Sequence, residues 1–229
     1  PENKSARTIF CKGKRNFLKT YEFMENFEQN FLEVCAELEK LDATFLIKGV
    51  PEEYKEIWVP NNEIKLWQIP RTSAEVLKSF ALANKSKVIL ELGTSAGYSA
   101  IWLASAAREF NGKVYTIELA KPKIEMARKY FEKAKLDKFI EQIEGKISEV
   151  LGRWNKEIDL VFLDADKQNY HTYIKQFEPF LKKGSVIIAD NASDFGYLMK
   201  DYLRYVSKDS RYYSFLLNID HGLMISVKL

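Results

Sequence analysis

Two oxygen-rich clusters directly follow apolar runs that read as strands. Ile158–Leu163 (IDLVFL) leads into Asp164-Ala165-Asp166-Lys167, and Ser185–Ala189 (SVIIA) leads into Asp190-Asn191. If the two runs are neighbours, Asp164, Asp190 and Asn191 converge on one crevice. Three hard oxygen ligands suit a divalent cation such as Mg2+, with water or substrate oxygens completing an octahedron. The plainer reading makes Asp164, Asp166 and Asp190 helix caps, which such junctions favour. Two acidic clusters on successive strands, with Lys167 as their one cation, weigh against it. Upstream, Lys87–Leu92 (KVILEL) runs into Gly93-Thr94-Ser95-Ala96-Gly97-Tyr98-Ser99. Glycines four apart allow a sharp turn and a close approach of ligand to backbone. The loop lacks the third glycine of a dinucleotide fingerprint and the Gly-Lys-Ser/Thr of a phosphate loop. Glu118 lies near the end of the next strand, roughly 20 residues on, where a carboxylate can accept both ribose hydroxyls of an adenosine ligand. Its alternative is a helix N-terminal carboxylate favoured by the dipole.

The elements that must position these residues alternate. From Lys87 the pattern predicts a strand, a helix over about Tyr98–Phe110, and a strand at Val114–Leu119. A helix with Pro122 in its first turn follows, its buried stripe formed by Ile124, Ala127, Phe131 and Ala134. A weaker strand is expected near Phe139–Ile143. Ile158–Leu163 and Ser185–Ala189 do not alternate, as expected of strands covered on both faces. Between them Tyr170, Tyr173, Ile174, Phe177 and Leu181 mark a helix. Tyr212–Ile219 and Leu223–Val227 form a helix-free tail around a His221-Gly222 turn and should pair antiparallel. This alternation predicts an α/β, Rossmann-like doubly wound sheet, mainly parallel, with ligands beyond the carboxyl ends of its strands.

Earlier in the chain, Phe23, Phe27, Phe31, Val34, Leu38 and Leu41 recur at helical spacing and predict a helix over 21–41. Pro51, Pro60 and Pro70 break up the next stretch, and Thr72 or Ser73 is the expected cap of a helix through Val76, Leu77 and Phe80. Tyr54, Trp58 and Trp67 suit either an acceptor pocket or core beneath the sheet. These features divide the chain into a basic and helical extension, 1–69, and a catalytic domain, 70–229.

With 229 residues, 46% of them hydrophobic and 29% charged, the chain can bury a sizeable core, which excludes disorder for most of it. No window approaches the ~18 apolar residues of a membrane helix, and two histidines rule out a His-rich metal site. Cys11 and Cys35 fit neither a disulfide framework nor a zinc spacing, so a cytoplasmic, reducing compartment is expected. The net charge of +3 is small, but Lys4, Arg7, Lys12, Lys14, Arg15 and Lys19 face only Glu2 within the first twenty residues. Such an arm can track phosphates or simply be solvated.

Glu91–Ser99 (ELGTSAGYS), Glu118, Phe162–Tyr170 (FLDADKQNY), Ile187–Asn191 (IIADN) and Asp220–Leu223 occur in order and at matching separations. Over about Pro70 to Leu229 the chain resembles the cation-dependent, S-adenosylmethionine-dependent O-methyltransferases of the catechol and caffeoyl-CoA type. The resemblance implies a seven-stranded sheet with an antiparallel last strand, and a homodimer. It implies that Glu91, Gly93, Ser95, Gly97, Tyr98 and Ser99 hold the methionine part of S-adenosylmethionine (SAM), and that Glu118 holds the ribose. Gly145, Lys146 and Ile147 would lie by the adenine, with Asp164 also at the cofactor's edge. Asp164, Asp190 and Asn191 match the ligands of a divalent cation, Mg2+ by this reading, and Lys167 matches a general base. The alternative for Lys167 is an ion pair with Asp164 or Asp166 that keeps it protonated. The expected reaction is methyl transfer to one hydroxyl of a catechol-like small molecule. A hydroxylated uridine in tRNA is the alternative acceptor, with Lys200, Arg204, Lys208 and Arg211 on phosphates, and a non-catalytic SAM-binding module is the third reading. Asp164→Ala is expected to abolish metal-dependent turnover and leave the fold intact.

Overall fold

In the computed structural model, residues 27–48 and 63–229 are described. The basic arm, residues 21–26 of the first predicted helix, Cys11, Tyr54 and Trp58 lie outside them. Helix α1 covers residues 27–42, burying Phe27, Phe31, Val34 and Leu38 along the predicted stripe. Two short strands, β1 (Ile47–Lys48) and β2 (Glu63–Ile64), pair antiparallel. The remaining chain alternates: α2 (Arg71–Ala83), β3 (Val88–Leu92), α3 (Tyr98–Ala107), β4 (Lys113–Glu118), α4 (Lys121–Lys133), β5 (Ile140–Glu144), α5 (Ile147–Leu151), β6 (Ile158–Leu163), α6 (Tyr170–Phe177), β7 (Leu181–Ala189), α7 (Lys200–Lys208), β8 (Tyr212–Leu217) and β9 (Leu223–Lys228).

The main sheet has seven strands in the order β5-β4-β3-β6-β7-β9-β8. Five run parallel, and β9 enters antiparallel to both β7 and β8. This is the expected architecture. Strand β6 is buried at every residue, because one apolar layer formed with α1–α4 covers one face and a second, formed with α5–α7, covers the other. Helix α1 belongs to the first layer, with Phe31 edge-on to Trp102 at 4.8 Å between ring centres. No helix among the described residues is long and apolar enough to cross a membrane.

Several boundaries differ from expectation for physical reasons. Neither Thr72 nor Ser73 caps α2, which begins after Pro70. Instead the carboxylate of Asp220, in the β8–β9 turn, accepts from the N–H and the hydroxyl of Ser73 at 3.0 and 2.7 Å. A cap from 147 residues away leaves no local signature. Leu181 belongs to β7 rather than to the preceding helix, because α6 ends at Phe177 and Pro179 sits in a 3-10 turn between them. Helix α3 likewise stops at Ala107, with Arg108–Phe110 forming a 3-10 turn. Helix α7 has no counterpart in the sequence reading; only Tyr202 and Val206 are buried on it.

Candidate active site

The carboxyl ends of β3, β4, β6 and β7 bring the expected residues to one edge of the sheet. Strands β6 and β7 are parallel neighbours with Leu163 opposite Ala189, so Asp164 and Asp190 leave the sheet side by side. The N–H of Asp164 donates to the Leu92 carbonyl and that of Asp190 to the Leu163 carbonyl, both at 3.0 Å. These bonds carry the ladders one residue past the strands and fix both carboxylates at the same height.

The two carboxylates have different surroundings. Asp190 is 3% exposed and its Oδ1 has no hydrogen-bond partner. Burial and the negative charge of Asp164 push it up to about 7. Asp164 instead accepts from Lys167 Nζ at 2.7 Å, in an ion pair whose side chains are 19% and 12% exposed. Burial, the largest single effect, would lower the Lys167 pKa; the charge and hydrogen bond of Asp164, with the charges of Tyr170 and Asp190, together outweigh it and hold the ammonium above the ordinary lysine range. The geometry is therefore that of the ion pair, and Lys167 must give up its own ammonium proton, which the charge of Asp164 opposes, before it can act as a base. Asn191 follows with φ of 61°, a left-handed conformation that asparagine tolerates. Asp166 accepts from Tyr173 Oη at 2.6 Å and from the Asn169 amide, and it makes no side-chain cap bond to the helix. Tyr170 is fully buried and its hydroxyl bridges the Leu163 carbonyl and the Ala165 N–H. Half of the acidic motif thus builds the turn that presents the other half.

On the β3 side, Gly93 and Gly97 have φ of 102° and 90°, confirming the sharp turn. The close approach they permit is to the chain itself. A Cβ on Gly93 would strike the carbonyl oxygen of Asp164, and one on Gly97 would strike the ring of Phe131. The glycines seat the loop against β6 and α4. Glu91 is fully buried. Register sets it opposite Thr116, whose hydroxyl donates to Glu91 Oε2 at 2.5 Å, while Oε1 has no partner. Burial pushes Glu91 up to about 8, offset in part by the hydroxyls of Ser99 and Thr116. Glu118 accepts from the N–H groups of Ser95, Leu119 and Ala120 at 2.8, 2.9 and 2.9 Å, so the loop after β3 and the carboxylate after β4 form one unit. Gly145 donates its N–H to the Glu118 carbonyl at 2.9 Å, which puts Gly145, Lys146 and Ile147 beside Glu118 at the same edge.

Tyr98 is the predicted residue whose side chain goes elsewhere. It is 2% exposed, and its hydroxyl donates to Glu39 Oε1 of α1 at 2.6 Å, where Arg71 grips the same carboxylate through two bonds of 3.0 Å. It ties α3 to α1 and commits its hydroxyl to that contact. Tyr98→Phe is accordingly expected to cost about 1 kcal/mol of stability, read as a lower urea midpoint with unchanged slope, and to leave cofactor affinity unchanged. Thr116, Thr94, Leu66 and Lys123 border the site without a sequence signal, whereas Trp67, one of the aromatics expected either in an acceptor pocket or in the core, is 40% exposed. Thr116 becomes legible only once strand register is known.

Among the described residues no three His, Cys, Asp or Glu side chains are grouped to hold a metal ion. The expected set has two carboxylates and an amide. It nonetheless fits a hard cation, since Asp190 keeps a buried oxygen without a partner and Asp164 stands beside it.

A family model described as O-methyltransferase matches residues 49–226. The chain belongs to the O-methyltransferase family. It is 30% identical over 173 residues to the caffeoyl-CoA O-methyltransferase of Medicago sativa, covering 71% of this chain and 70% of that protein. It is 35% identical over 119 residues to a catechol O-methyltransferase of Niastella koreensis, covering 50% of this chain and 53% of the relative. The chain thus matches about half the length of the catechol O-methyltransferases it resembles. The crystal structure of the O-methyltransferase from Bacillus cereus in complex with SAH superposes with a TM-score of 0.66 at 22% identity, over 89% of this chain and 91% of that one. That of TomG from Streptomyces achromogenes, in complex with SAM, gives 0.65 at 22%, over 70% and 81%. At that identity the two structures speak for the fold.

Proposed function

We propose that this chain transfers a methyl group from SAM to one hydroxyl of a catechol-like small molecule, using a divalent cation held by Asp164, Asp190 and Asn191. The observation that carries the metal half is the buried Asp190 carboxylate, with an oxygen that no group of the protein satisfies, set beside Asp164. Family membership and the loop–carboxylate unit of Ser95 and Glu118 support the cofactor half.

SAM supplies an electrophilic methyl group on a positively charged sulfur. A divalent cation supplies charge that favours the ionised form of a phenol-like hydroxyl, whose unperturbed pKa is near 10. The protein's part is positioning. Glu118 would accept the ribose hydroxyls and Glu91 would hold the methionine ammonium. Asp164 and Asp190 approach the acceptor from neighbouring strands. Lys167 lies beside Asp164 and would serve as the base only after releasing its own ammonium proton to solvent, which sharing of its partner's charge would favour. Aligning donor and acceptor in near-attack geometry supplies much of the acceleration.

The test is methyl transfer from SAM to a simple catechol with Mg2+, repeated with excess chelator. Turnover that chelator abolishes is the expected result. Full activity in chelator would overturn the metal assignment. Retained SAH binding with no turnover on any catechol would move the acceptor to a hydroxylated uridine in tRNA, or the protein to a binding module.

A further inference from the structure

Lys123 stands in the first turn of α4 and is 7% exposed, yet among the described residues its ammonium has no ion pair. Its direct contact is the ring of Trp67, whose centre is 4.4 Å from Nζ. Burial lowers its pKa, and the charges of Glu118, Asp164 and Asp42 pull the other way. Those acids stand at the ends of β4, β6 and α1, so the ammonium feels both the proposed ribose carboxylate and the proposed metal edge. A buried cation without a direct ion pair is costly to hold, and the face of Trp67, itself 40% exposed, offsets part of that cost.

The segment carrying Trp67 is held in an uncommon shape. Trp67 has φ of 49°, a region bulky residues rarely adopt. The residues on either side are pinned: Ser95 Oγ donates to the Leu66 carbonyl at 2.5 Å, and the Gln68 N–H donates to Asp42 Oδ1 at 3.3 Å. Ser95 is itself left-handed, at φ of 47°, and its N–H is one of the three that Glu118 accepts. Glu118, Ser95, Leu66, Trp67 and Lys123 therefore form a chain of contacts along the proposed cofactor site. Backbone strain persists only where the surroundings over-determine it, and it concentrates at ligand clamps.

We propose that Trp67 and Lys123 form a latch that holds residues 65–70 as a roof over bound SAM, with Lys123 as the positioning residue that aligns the roof with Glu118. This rests on the cofactor half of the function proposed above and on neither the metal nor the acceptor. SAH binding is therefore measured calorimetrically on the whole chain, without metal or acceptor. Lys123→Met and Trp67→Ala are each expected to weaken SAH roughly tenfold, chiefly through faster release. The double variant should be no weaker than the worse single one, since either change opens the same latch. Lys123→Arg, which keeps a cation against the ring, should restore affinity to within about threefold of the parent. SAH should also change tryptophan emission in the parent, and that change should disappear in Trp67→Phe. Additive losses, unaltered affinity in either single variant, no rescue by arginine, or an emission change independent of Trp67 would each overturn the latch while leaving the cofactor site standing. Failure of the parent chain to bind SAH would overturn both.

Discussion

Asp190→Asn is expected to lower methyl transfer at least about a thousandfold while leaving the protein folded and as stable as the parent, or more so. A bound cation acting as a Lewis acid contributes several kcal/mol to the transition state, and each ~1.36 kcal/mol is a factor of ten in rate. Replacing a carboxylate oxygen by an amide nitrogen at the buried ligand removes most of that. Stability moves independently because Asp190 has little to lose. Its Oδ1 is unpartnered, and burial beside Asp164 already makes its charged form unfavourable. Asparagine has the same shape and no such penalty. The measurement pairs turnover with melting temperature, with and without Mg2+. A cation at about 100 times its dissociation constant adds about 2.7 kcal/mol to the folded state. For a chain of this size that is roughly 5–10 °C, and the shift should appear in the parent and vanish in the variant. Equal Mg2+-induced shifts in both proteins, or chelator-insensitive activity, would remove Asp190 from the metal site. Asp164→Ala is the poorer experiment, contrary to the sequence-based expectation that it leaves the fold intact. It strands the buried Lys167 ammonium at a cost of about 3–5 kcal/mol, so lost activity would not separate metal chemistry from damaged folding.

What was legible in the sequence is what the chain marks locally. A parallel strand covered on both faces must end in something polar, so Asp164, Asp190 and Asn191 stood out at the ends of apolar runs, and the fold follows from the alternation. The glycine loop announced its turn through Gly93 and Gly97, but not what the turn packs against, since the carbonyl of Asp164 arrives from the end of β6, far along the chain. Strand β7 begins at Leu181, ahead of the predicted Ser185, because Lys182, Lys183 and Gly184 look like loop. The carboxylate of Glu91 is governed by Thr116, a neighbour set by register between strands. Lys123 is the clearest case of illegibility. A lysine in the first turn of a helix reads as solvated, and only the fold lays Trp67 across it. Local chemistry named the site; long-range packing set the charge states within it.

Glu91→Gln should stabilise the protein at high pH and weaken its hold on the cofactor, two effects of opposite sign from one substitution. Burial raises Glu91 to about 8 from its ordinary 4.5. Between those values the unfolded chain has lost the proton while the folded chain keeps it, so stability falls as pH rises through that window. Below about pH 4.5 the group costs nothing, and above pH 8 its full cost is present. Each tenfold change in an acid dissociation constant is worth about 1.36 kcal/mol, which makes that cost on the order of a few kcal/mol. Glutamine cannot ionise, so the variant and the parent should melt within a degree or two of each other near pH 5. They should separate by several degrees at about pH 9, the variant being the more stable. Cofactor affinity goes the other way. A carboxylate facing the methionine ammonium makes a charge-assisted contact worth about 1.5–3 kcal/mol, so SAH binding should weaken roughly ten- to a hundredfold at about pH 8. Melting curves that stay parallel from about pH 5 to 9 would show that Glu91 is ionised throughout in the folded chain. A variant with higher stability and undiminished SAH affinity would show that the buried carboxylate serves something other than the cofactor. The two outcomes together separate a residue kept for binding from one kept for the fold, because only the former remains in place at the expense of stability.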